Sequence, residues 1–95
     1  MNLKKLMRDT VKDIESKSIL KDRGTVILMK IREGKTLKEH QSISHALLIL
    51  ISGKALYEEE QRAVLLEENM DTVEIPPHVT HKVSAEKDST FLLIH

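Results

Sequence analysis

Residues 71–85 read Asp-Thr-Val-Glu-Ile-Pro-Pro-His-Val-Thr-His-Lys-Val-Ser-Ala. Thr72–Ile75 is a short β-branched run, and Pro76-Pro77 halts it, because proline neither donates to a ladder nor continues a central strand. Beyond the turn, Val79, His81, Val83 and Ala85 alternate with polar residues, the period-two signature of a half-buried strand. The same grammar extends in both directions. Thr25–Ile31, Ala46–Ile51, Arg62–Leu66 and Thr90–Ile94 are short and rich in Val, Ile and Leu, and Lys54–Glu58 alternates more weakly. Gly, Pro, Asn and Asp punctuate the spaces between them. About seven strands with few long gaps predict an all-β sandwich or barrel.

The N-terminus follows a different rule. Leu3, Leu6, Met7, Val11 and Ile14 are spaced to share one helical face, while Thr10 and Val11 favour an edge strand instead. A short helical or edge segment is expected over residues 1–18, packing on the barrel or on a partner subunit, with the domain proper at 19–95.

Composition removes whole classes of function. Fifteen Lys+Arg balance fifteen Asp+Glu, and the only aromatic residues are one Tyr and one Phe, so neither a polyanion-seeking surplus nor base-stacking platforms exist. Nucleic acid is therefore not an expected partner. The absence of cysteine excludes disulfides, thiolate metal sites and thiol catalysis. The longest apolar run, Ala46–Ile51, is far shorter than the ~20 residues of a membrane helix. No apolar stretch follows the N-terminal lysines as in a secretory signal, so a cytoplasmic protein with no membrane partner is expected. Isolated glycines give no phosphate loop, and Ser42, Ser44, Ser84 and Ser89 lack a nucleophile-elbow context.

Histidine is the remaining source of chemistry, at positions 40, 45, 78, 81 and 95. His40 and His81 lie on segments that neighbouring strands of a barrel would bring together. The odd spacing of His40 and His45 puts them on opposite faces of any regular strand.

These segments together resemble the cupin family, in particular its small single-domain members. The first cupin motif runs G-x5-H-x-H-x3-E-x6-G; here Gly34, His40 and Gly53 hold three of its positions. The second runs G-D-x4-P-x-G-x2-H; here Asp71, Pro76 and His81 match, while Met70 and His78 stand at the glycines, implying altered turns. The match spans about residues 19–95.

The resemblance implies a double-stranded β-helix, or jelly roll, with a pocket inside one end. In metal-bearing cupins three histidines and a glutamate hold a divalent cation. His40 and His81 occupy the first and last ligand positions, whereas Ser42 and Ala46 replace the second histidine and the glutamate. Such a pair would hold Zn, Ni, Fe or Mn weakly or not at all, with His78 or His45 as candidate additional ligands. Equally, the two rings would hydrogen-bond to each other, to Ser42 or to water. Strand parity puts Ser42, Ala46, Leu48, Leu50, Val79 and Val83 in the same interior, an apolar pocket suited to a small organic ligand. Leu47, Ile49 and Ile51 then face outward, and a homodimer is expected. The main functional expectation is a barrel binding a small organic molecule at a reduced two-histidine site. The alternative is a metal-dependent cupin enzyme of isomerase, dioxygenase or decarboxylase type, and a purely structural role is the third.

Overall fold

The computed structural model describes residues 2–7, 12–20 and 24–95. One short helix, α1 (Leu3–Met7), precedes nine strands: β1 (Ile14–Leu20), β2 (Val26–Ile31), β3 (Thr36–His40), β4 (Ala46–Ser52), β5 (Ala55–Glu59), β6 (Ala63–Leu66), β7 (Thr72–Ile75), β8 (His81–Ala85) and β9 (Ser89–Ile94). They form two antiparallel sheets facing each other, ordered β1-β2-β9-β4-β7 and β3-β8-β5-β6. The fold is the expected all-β jelly roll, a double-stranded β-helix. No helix among the described residues is long and apolar enough to cross a membrane.

Alternation builds the core. Along β4, Ala46, Leu48 and Leu50 are buried while Leu47, Ile49 and Ile51 are only partly covered. Tyr57, Val83 and Ala85 answer from the opposite sheet, with Met29, Ile31, Leu66, Val73, Ile75 and Phe91 completing one cluster. Each large apolar side chain buried this way contributes about 1.5–3 kcal/mol before conformational entropy is charged against it. Both aromatic residues, Tyr57 and Phe91, are fully buried. Leu28 is also buried but lies outside this cluster, on the outer face, where it pairs with Leu92, which in turn pairs with Ile49.

The strand β9 is the keystone of its sheet. It pairs along its length with β2 on one side and β4 on the other, although those two strands are separated in sequence.

One expectation about the N-terminus holds and two others change. The N-terminal segment supplies both expected forms, a short helix that ends at Met7 and an edge strand that opens at Ile14, while Val11 lies outside the described residues. The boundary at 18/19 falls inside β1, which pairs with β2 from Ile14 to Leu20 and so belongs to the barrel. The glycine-replacing residues do not alter their turns. Met70 (φ 77°) and His78 (φ 63°) keep the left-handed backbone and are the described non-glycine residues with positive φ.

Candidate functional site

His40 ends β3 and His81 begins β8, and the register places their Cα atoms directly opposite each other. Their rings meet edge to face, with centroids 4.1 Å apart and planes inclined at 61°. His81 is buried, 2 % exposed, whereas His40 is exposed. The loops leading to this point are tied together: His78 N donates to Ser42 O at 2.8 Å, and Gln41 Nε2 donates to Thr80 Oγ1 at 3.0 Å.

The two histidines share one local device. His40 Nδ1 lies 2.9 Å from Lys38 O, and His81 Nδ1 lies 3.0 Å from Val79 O. A carbonyl only accepts, so each Nδ1 carries the proton, and a neutral ring then presents Nε2 as a bare lone pair. Neither Nε2 has a hydrogen bond from the described residues. Burial pushes the His81 pKa below the ordinary histidine value, and the neighbouring His40 lowers it further, against the opposing pull of the Val79 carbonyl.

Behind His81 stands a group that strand parity alone does not reveal. The Tyr57 ring stacks on His81 at 5.5 Å between centroids, 28° from parallel. The Tyr57 hydroxyl donates to Glu59 Oε2 at 2.5 Å, and Arg62 donates to the same oxygen at 2.8 Å. Arg62 also donates to Glu74 O on the other sheet, and its guanidinium carbon sits 5.5 Å from the Tyr57 ring centre. The Arg62 hydrogen bond holds the Glu59 carboxyl below the usual range, while burial and the Glu59 charge push the Tyr57 hydroxyl well above ten. The sequence signal was faint: residues 57 and 59 share a strand face, but Arg62 arrives only through the β5–β6 turn, where Glu59 N donates to Arg62 O.

An open groove of about 490 Å³ lies over this end, lined by Glu58, Glu59, Glu60, Thr80, His81 and Lys82. A second groove of about 390 Å³ shares Glu59, Glu60 and Thr80 with it and adds Gln61, His78 and Val79. The expected apolar pocket floor is instead solid core. Ala46, Leu48, Leu50 and Val83 do face the interior, but at 6, 1, 0 and 2 % exposure they belong to the packed core cluster. Of the expected lining residues, Val79 borders a groove, and Ser42 is half-buried in its loop. His45 is exposed and borders a different groove with Ala46, Leu47, Glu74, Ile94 and His95.

Whether this donor set fits the divalent metal of metal-bearing cupins is decided by its count. Ser42 and Ala46 supply no imidazole and no carboxylate, and among the described residues no three His, Asp or Glu side chains gather closely enough to hold one ion. The residues do not fit a resident metal with three protein ligands.

No protein-family model matches the chain, and no curated protein matches it in sequence. Solved structures do. The chain is similar to a cupin superfamily protein from Desulfitobacterium hafniense (TM-score 0.87, 17 % identity, covering 99 % of this chain and 86 % of that one). It is similar to a cupin-2 domain protein from Shewanella frigidimarina (TM-score 0.85, 15 % identity, 100 % and 92 % covered). A cupin-like protein from Thermotoga maritima shares 26 % identity at a TM-score of 0.77, over 85 % of this chain and 66 % of that one. The chain has the cupin fold.

Proposed function

We propose that this chain is a binding cupin, a barrel that captures a small organic molecule at its open end through the Nε2 atoms of His40 and His81. One observation supports this most directly: both Nδ1 protons are spent on backbone carbonyls, which leaves two neighbouring rings whose Nε2 atoms take no hydrogen bond from the described residues. Among the described residues no buried side-chain nitrogen or oxygen lacks a partner, so both Nε2 atoms meet solvent, and a ligand that donates hydrogen bonds there takes the place of water. The groove that His81 lines, and the one beside it, fall in the size range that small ligands occupy.

Turnover finds less support. The neighbouring ionisable groups are committed to each other, with Glu59 tied by Arg62 and Tyr57 holding its proton far above neutral pH. Neither is matched to proton exchange near pH 7. Two imidazoles without a third protein ligand would hold a divalent cation only weakly.

Imidazole ¹H–¹⁵N spectra recorded during titration with 1-butanol, n-butylamine and butyrate test the proposal. At least one compound should move the Nε2 signals of His40 and His81 together, and His81→Gln should abolish the response. If both nitrogens stay still throughout, the site binds no such ligand.

A further inference from the structure

The binding reading above leaves the ligand's chemistry open, and the groove narrows it. We propose that the natural ligand carries an ammonium group, seated between the two Nε2 atoms and the free oxygen of Glu59.

The acceptors come first. Glu59 is the register partner of His81, and its Oε2 takes both the Tyr57 and the Arg62 hydrogen bonds. Its other oxygen receives no hydrogen bond from the described residues, and Glu59 borders both grooves. His81 and Glu59 line one groove and the His40 ring stands 4.1 Å from His81, so two imidazole nitrogens and a carboxylate oxygen lie at the same end of the barrel. One of them belongs to His81, a side chain 2 % exposed whose Nε2 has no protein partner and which lines the groove. An alkylammonium offers up to three donors and no acceptor, the complement of this set.

Charge points the same way. Glu58, Glu59 and Glu60 line the larger groove against a single cation, Lys82, which sits opposite Glu58 in the register. The Arg62 charge is already answered by Glu59 at 2.8 Å, and among the described residues Glu58 and Glu60 have no ion-pair partner. An anion entering here meets three carboxylates. A neutral alcohol satisfies the imidazoles but leaves the carboxylates without a counter-charge.

Distance separates an ammonium from a metal ion. A transition metal needs its ligands about 2.0–2.2 Å from one point, a tightness that no three such side chains reach among the described residues. An N–H donor works at about 2.7–3.2 Å from each acceptor and tolerates a looser cage.

Calorimetric titration with n-butylamine, 1-butanol and butyrate at low salt, read alongside the His81 imidazole signals, tests the ammonium. Butylamine should bind about tenfold or more tightly than butanol, since charge-assisted hydrogen bonds are roughly twice as strong as neutral ones, and butyrate should not bind. Glu59→Gln should reduce the amine preference over butanol to threefold or less. Glu60→Gln, an exposed change that leaves the fold untouched, should lower it in the same direction. If butanol moves His81 and butylamine binds no better, the ammonium is wrong and the binding site stands. If no compound moves His81, both fail. Amine binding indifferent to both substitutions would also overturn the assignment.

Discussion

Replacing Met70 with glycine should make this protein more stable, although it deletes a side chain. Met70 sits at φ 77° in the turn before β7, with its N–H donating to Leu50 O at 2.7 Å. A residue with a Cβ pays about 1–2 kcal/mol in that left-handed conformation. Glycine pays nothing there but loses more chain entropy on folding, about 0.5–1 kcal/mol. Met70 is 68 % exposed, so little burial is lost with its side chain. The balance is a stabilisation of about 0.5–1 kcal/mol, read as a higher urea midpoint at unchanged slope. His78→Gly at φ 63° should act in the same direction, and the two gains should add because the residues occupy turns at opposite ends of the barrel. The control is Met70→Ala, which removes the same thioether but keeps the Cβ. If alanine stabilises as much as glycine, or if glycine destabilises, backbone strain is not what Met70 contributes.

Three other outcomes follow from the packing. Gly53→Ala should destabilise severely, by 2 kcal/mol or more, because at φ 107° its Cβ would crowd Asp88 O and lie within 2.6 Å of Ser89 Cα; a urea midpoint near wild type would contradict this. Tyr57→Phe removes a buried donor to a carboxylate and should cost about 1.5–3 kcal/mol in chemical denaturation, while the ring stays stacked on His81. Folding stability should decline as pH falls from 7 to 5. The unfolded chain takes up a proton near the ordinary histidine pKa of about 6.5, whereas buried His81 beside His40 resists it, so the stabilisation is complete above that value and is lost below it. Glu59, whose pKa is also lowered, adds to this decline, but only at lower pH, where carboxylates of the unfolded chain begin to protonate. His81→Gln should flatten the slope between pH 7 and 5, and an unchanged slope would assign the effect to another group.

What could be read from the residues depended on where each strand lies. The interior strands β2, β4 and β9 announce themselves because both sides of them need apolar cover, and the edge strand β7 is marked instead by the prolines that halt it. The two strands missed, β1 and β3, are sheet edges with sequences Ile-Glu-Ser-Lys-Ser-Ile-Leu and Thr-Leu-Lys-Glu-His. Edge strands carry charge, which discourages pairing with other chains and also hides their period. The closeness of His40 and His81 was legible through the glycine and proline spacing around each. The Tyr57–Glu59–Arg62 group was not, since its three members look ordinary until a hairpin folds Arg62 back. The interior pocket was misjudged for a related reason: parity tells which side chains point inward, but not whether their volumes fill the space. Here Tyr57 and Phe91 help to fill it.

The place of β9 between β2 and β4 has a consequence for synthesis. A nascent chain carries β2 and β4 long before it carries Ser89–Ile94, and neither can acquire the neighbour it is built to hold. Until that last ribbon clears the ribosome, their hydrogen-bonding edges and the Leu-Ile-Leu-Ile run of β4 stay open to other chains. Closure is therefore a late, nearly simultaneous event, and a ribosome stalled before residue 89 would release a sticky half-sheet for chaperones to manage.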